Sequence, residues 1–193
     1  MSLRERNKAR TLEAIRQAAA ELFARQGYAE TRTRDIAEAA GIATGTLFNY
    51  APTKEAVVLL LWMDHAQKAV ETGLRAAQAA SDPVDACVAL FHPIFSFYGE
   101  DLELGRVFLQ HVMFMQSEDP EFRQLNEGFI GQIALLLVPH AGDGALTAAV
   151  NVFAAYYTTL TAMLAERLPG VPATEQMFRE LVRGQARGWR APG

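Results

Sequence analysis

Cysteine, proline and long apolar runs are scarce in this chain of 193 residues, and each scarcity excludes something. A single cysteine, Cys87, rules out a disulfide framework within the chain, and its neighbours Val84, Val88 and Leu90 suit a small buried apolar residue. A reducing, cytoplasmic setting is therefore expected. No uninterrupted apolar run approaches the roughly 18 residues of a membrane span. The strongest, residues 56–63, is closed by Asp64 and His65, and the charged N-terminus has no signal-like apolar segment. No membrane partner is expected. Catalytic signatures are equally thin. The histidines His65, His92, His111 and His140 show neither HExxH nor ExxH spacing, and there is no G-x-S-x-G or glycine-rich phosphate loop. Neither catalytic residues, metal nor cofactor are expected, and the chain does not read as an enzyme.

What is present is helical. Half of the residues are hydrophobic, enough for a sizeable core, and no run of alternating β-branched residues marks a strand. Leu12, Ile15, Ala19, Leu22 and Phe23 share one stripe, which predicts a helix over 2–26 with Gly27 at its C-cap. Thr33 suits the N-cap of a short helix to residue 40, ended by Gly41; a second covers 44–50 and stops before Pro52. Thr53 caps a long helix over 54–79. Ser81 or Asp82 with Pro83 opens another to residue 98, with Pro93 expected to kink it. Further helices are predicted to reach 116 and 139 and to cover 145–167 and 174–189. The fold class is all-α, with about nine helices.

The net charge of −4 is uneven: nine basic side chains face seven acidic ones over residues 1–55, and the remainder carries nine against fifteen. Such asymmetry lets a small head approach phosphate while an acidic body stays away from it. Within the head, "IAEAAGIATGTLFNY" places two short helices about a glycine turn, the spacing of a helix-turn-helix whose second helix enters the major groove. Ile36, Ala37 and Ala40 are expected to face inward, with Leu47 and Phe48 anchoring the second helix. Thr44, Gly45, Thr46, Asn49 and Tyr50 then face outward, a set suited to phosphate oxygens and base edges. An ordinary helical hairpin with a polar surface fits the same spacing.

The stretch "TLEAIRQAAAELFARQGYAETRTRDIAEAAGIATGTLFNYAPTKEAV" closely resembles the DNA-binding head of TetR-family transcriptional regulators, over about the first 57 residues. The resemblance implies a helix-turn-helix domain at 1–55 and a ligand-binding and dimerisation domain at 56–193. It implies phosphate contacts from Thr33, Tyr50 and Lys54, with Arg32 beside them, and groove contacts from Thr44, Gly45, Thr46 and Asn49. Two positions depart from the family pattern. Ala43 stands where a serine usually caps the recognition helix, so the cap is lost unless Thr44 replaces it, and Ala51 stands where an aromatic is usual.

Aromatic and thioether side chains crowd the central helices, a solid core by the commonest reading. The resemblance shifts this toward a small-molecule chamber lined by Trp62, His65, Ala69, Phe91, Phe95, Tyr98, Phe108, His111, Phe114 and Tyr157. Leu146, Val150, Phe153, Tyr157, Leu160 and Leu164 form a heptad stripe expected to bury against the chain's own body. Asn151, Ala155, Thr158 and Ala162, with Gly184 and Gly188 in the last helix, form a small-residue surface expected to meet a second copy. The function implied is a ligand-responsive regulator, a repressor that binds a palindromic double-stranded operator as a homodimer and leaves it on binding a small apolar or amphipathic effector. The alternative is a helical small-molecule-binding protein whose head has lost specific DNA binding, with Ala43 and Ala51 as its marks.

Overall fold

The computed structural model describes the backbone of residues 2–115 and 120–189, and the side chains of these residues other than 114, 115 and 120–127. Phe114 therefore lies outside the described side chains. Among the described residues there are nine α-helices and no strand: α1 Leu3–Glu30, α2 Thr33–Ala39, α3 Thr44–Phe48, α4 Lys54–Gln78, α5 Pro83–Gly99, α6 Leu102–Met115, α7 Pro120–Ala141, α8 Ala145–Leu164 and α9 Gly170–Ala186. A 3-10 turn at Gly142–Gly144 joins α7 to α8.

The chain forms two compact units. The first comprises Met1–His65 with Arg106–His111, and the second Ala66–Gly105 with Val112–Gly193. The divisions fall within α4 and α6, so both helices contribute to both units.

In the first unit, α1 starts in a reciprocal cap. The Glu5 N–H donates to Ser2 Oγ (3.2 Å) and the Ser2 N–H to Glu5 Oε2 (2.6 Å). Ile15, Ala18, Ala19, Leu22 and Phe23 are its buried stripe. At Gly27 the backbone turns to φ 79°, ψ 165°, which breaks the helix where the sequence places its end, and a further turn continues to Glu30.

In the second unit, Asp82 caps α5 by accepting the Val84 and Asp85 N–H groups at 2.9 and 3.0 Å, with Pro83 at the first helical position. Pro93 is accommodated within a single α5. The second half of α4 meets α5 at Gly73, where a Cβ would stand 1.9 Å from the Leu90 carbonyl oxygen. Backbone cannot yield as a flexible side-chain tip does. Gly73→Ala is expected to destabilise the chain by about 2 kcal/mol despite the better helix propensity of alanine, measured as a drop in the urea midpoint. An unchanged midpoint would mean that α4 and α5 separate freely.

The centre of this unit is aromatic. Phe91 stacks on Tyr156 at 4.5 Å between centroids and meets Phe178 edge-on at 5.1 Å, while Phe95 lies 5.6 Å from both Tyr156 and Phe178. All four are buried. Burial, the largest cause, holds the Tyr98 and Tyr156 phenols far above their ordinary range. It also pushes the Cys87 thiol up to about 12, as expected of an inert packing residue.

The heptad stripe of α8 is not buried along its whole length. Leu160 and Leu164 are buried, whereas Leu146 is 61% and Val150 48% exposed. Leu146 and Leu164 lie about five whole turns apart and point the same way, so the difference lies in what packs against each end of the helix and not in the direction of the stripe. One stretch, Gly128–Leu164, is long and apolar enough to cross a membrane by length and composition alone, with a window of mean hydropathy 1.5. It comprises parts of two helices, α7 and α8, packed on each other with Asp143 between them.

Candidate nucleic-acid interface

α2 and α3 are both short because each is bounded by residues that stop a helix. Gly41 adopts φ +67°, a conformation that disfavours any side chain, and turns the chain after α2. Pro52 lies just beyond α3. Ile36, Ala37 and Leu47 are buried, at 1% exposure or less, and hold the pair onto α1. Ala40 is half-buried. Ala51 is fully buried in place of a larger ring.

The cap of α2 differs from expectation, and that of α3 is lost as the alanine implies. Arg32, not Thr33, is the N-cap of α2, and the Asp35 carboxylate accepts the Arg32 N–H at 3.3 Å, so Thr33 is the first helical residue. Ala43 is the N-cap of α3 with no side-chain hydrogen bond, and Thr44 remains the first helical residue. The recognition-helix start is therefore not shifted; it is uncapped. Ala43→Ser is expected to stabilise the protein by ~1 kcal/mol, provided that the head unfolds with the rest. Thermal unfolding measures this, and a destabilised serine variant would show that its hydroxyl cannot reach the Thr46 N–H.

Gly45 and Asn49 are exposed, as is Arg32, and Thr33, Thr44, Thr46 and Tyr50 are half-buried. A Cβ built on Gly45 meets nothing within 4 Å. Phe48, expected to anchor α3, is instead 45% exposed. The reason is geometric: five residues make little more than one turn, and Leu47 alone fills the inward direction.

Lys54 occupies a different position from the one expected of a phosphate contact. Its Nζ donates to the carbonyls of Tyr28 (2.7 Å), Ala29 (3.2 Å) and Thr31 (2.9 Å), and lies 4.1 Å from the centroid of the Tyr28 ring. These carbonyls end α1 and have few partners within it, and a cation there also opposes the negative end of the helix dipole. The Tyr28 hydroxyl donates to Glu55 Oε1 at 2.9 Å. Hydrogen bonding by its own backbone N–H, the largest cause, holds the Glu55 carboxyl below its ordinary range, with Thr53 and Tyr28 adding to it against desolvation. In the opposite sense, Arg16 of α1 donates from Nε to the Leu60 carbonyl (2.7 Å) and from Nη1 to Asp64 (2.9 Å). Each of the two antiparallel helices thus sends one cation into the main chain of the other. Sequence reasoning missed this pair of clamps, whose partners lie 23 to 44 residues apart.

The ten expected ligand-binding residues are not gathered in one unit. Trp62, His65, Phe108 and His111 belong to the first, where Trp62 and Phe108 are buried with ring centroids 5.8 Å apart. Ala69, Phe91, Phe95, Tyr98, Phe114 and Tyr157 belong to the second. Phe91, Phe95 and Tyr98 are buried there. Among the described residues no three His, Cys, Asp or Glu side chains gather as a metal site.

Of the expected dimer residues, Asn151, Thr158, Gly184 and Gly188 are exposed and Ala162 is half-buried. Ala155 is buried within its own unit at 6% exposure. The Asn151 carbonyl accepts Gln185 Nε2 at 3.2 Å, which ties α8 to α9 beside these residues.

Residues 15–61 match the family model of bacterial regulatory proteins, tetR family. No curated protein matches the chain. Among solved structures, the chain is similar to Thermus thermophilus FadR, a TetR-family transcriptional repressor in complex with lauroyl-CoA, with 23% identity, TM-score 0.64, and 94% and 96% of the two chains covered. It is similar to the Bacillus subtilis transcriptional regulator FadR in complex with stearoyl-CoA (20%, 0.60, 88% and 96%). A TetR transcriptional regulator from Rhodococcus sp. RHA1 gives a TM-score of 0.67 at 19% identity, over 92% and 94% of the chains.

Proposed function

We propose, for a chain that belongs to the TetR family of transcriptional regulators, that it is a repressor which binds a palindromic operator as a homodimer and leaves it on binding a long-chain acyl-CoA. The observation that carries the DNA reading is the short helix α3, anchored by Leu47 and presenting Thr44, Gly45, Thr46 and Asn49 away from the core. Arg32 and Thr33 at the start of α2 and Tyr50 after α3 supply phosphate contacts. In the intracellular setting proposed, residues 1–55 act as the DNA-binding part and 56–193 as the part that binds ligand and partner.

The acyl-CoA class rests on the two FadR proteins of like fold, whose complexes hold lauroyl-CoA and stearoyl-CoA. For the dimer, α8 offers Asn151 and Thr158, and α9 offers Met177, Leu181 and Gly184, spaced at four and three along one exposed face, with Gly188 just beyond its end. Two heads held by such a pairing can meet half-sites about one turn of DNA apart, ~34 Å. An effector releases DNA by favouring a form in which that spacing fails, and a ~100-fold preference, about 2.7 kcal/mol, is sufficient.

A gel shift with duplex flanking the encoding locus tests this reading. A retarded complex that lauroyl-CoA or stearoyl-CoA dissolves, and that free CoA leaves intact, supports it. A complex indifferent to both thioesters would remove the effector class while leaving the DNA reading standing.

A further inference from the structure

Phe48 is the observation that the reading above leaves unused. Among the described residues of the first unit, the exposed large hydrophobic side chains are Leu3, at the chain start, and Phe48. Phe48 belongs to α3, next to the fully buried Leu47 and the exposed Asn49. A helical side chain leans back over the turn before it, here toward Thr44 and Gly45. Gly45 has no side chain and open space around it, so the approach to that turn is clear.

A phenyl ring has neither donor nor acceptor for a phosphate or a polar base edge. In the major groove, the apolar group a base pair displays is the thymine C5 methyl, and phenylalanine is among the side chains that contact it. The polar groups around the ring, Thr44, Thr46 and Asn49, supply hydrogen bonds that a phenyl cannot, and Arg32 and Arg34, both exposed at the start of α2, bring cations for the flanking backbone. We infer that Phe48 determines part of the operator sequence by packing against a thymine methyl in each half-site. The inference rests on the DNA reading above and adds to it a base that must be present.

The test removes one methyl at a time. The full-length protein selects its site from a random duplex pool, and each thymine of the enriched site is then replaced by uracil, which pairs identically. For the wild type, one thymine per half-site is expected to be sensitive, with affinity falling about 5- to 10-fold when it loses its methyl. Phe48→Ala is expected to bind the thymine site more weakly and to lose less than 2-fold further on uracil substitution. Phe48→Leu should retain part of the sensitivity, and equal unfolding midpoints show that the variants remain folded. If no thymine is sensitive, or if Phe48→Ala keeps the full uracil penalty, the ring reads no methyl and the inference is overturned while the DNA reading survives. If the wild type enriches no sequence, the DNA reading fails and the inference goes with it.

Discussion

Phe95→Ala is expected to lower the stability of the chain by about 3 to 5 kcal/mol, the cost of an aromatic cavity in a core that cannot close over it. The side chain is fully buried, with ring centroids of Phe91, Tyr156 and Phe178 at 6.4, 5.6 and 5.6 Å. Three helices, α5, α8 and α9, supply those rings, so no single side chain can swing in to fill the space. Urea unfolding measures the loss. Phe95→Leu, which retains most of the volume, should cost about 1 kcal/mol. The result separates core from chamber: a ring lining an effector site can be truncated at little cost, and a loss below about 1 kcal/mol for the alanine variant would show that the space beside Phe95 is already open.

Lys54→Met is expected to cost about 3 kcal/mol, because it leaves the carbonyls of Tyr28, Ala29 and Thr31 without the ammonium that all three share. Methionine keeps the aliphatic stem and removes the donors. A lysine that faces a phosphate gives a different result: binding weakens, stability holds, and the salt dependence flattens by about one counterion per contact. The clamp predicts the reverse pattern, a lower unfolding midpoint and, at temperatures where the head stays folded, an unaltered salt slope. Full stability with a flattened slope would mean that Lys54 leaves α1 when DNA arrives.

These two residues also mark where the sequence is legible and where it is not. Helix starts and stops were readable because they are local. Asp82 with Pro83, and Gly41, each act within four residues, and the structure places a cap or turn at both. The inward faces of long helices were readable too, since Ile15, Ala19, Leu22 and Phe23 repeat over several turns. Phe48 was not, because α3 is too short for its period to say which of two adjacent apolar residues turns inward. Lys54 was not, because its acceptors lie on another helix and a cation at a helix start looks the same whether it faces phosphate or carbonyl. The ligand region is ambiguous in sequence for a related reason: Phe91 and Phe95 form the same stripe whether the space beside them holds an effector or only other rings such as Phe178. On α8, Leu146 and Leu164 point the same way yet only Leu164 is buried, and Ala155 on the opposite side is buried in its own unit, because a stripe does not say where along the helix its neighbours end.

The account stands on sequence-specific duplex binding by the exposed face of α3. The direct measurement is a fluorescence anisotropy titration of the full-length protein against its enriched duplex and a scrambled duplex of the same composition, at several salt concentrations. The enriched duplex is expected to bind at least ~1,000-fold more tightly near physiological salt, with affinity for both falling steeply as salt rises. Thr46→Ala or Asn49→Ala is expected to narrow that ratio while leaving the salt slope in place. Equal affinity for the two duplexes, or a ratio untouched by both substitutions, would contradict the assignment of α3 as the reading element.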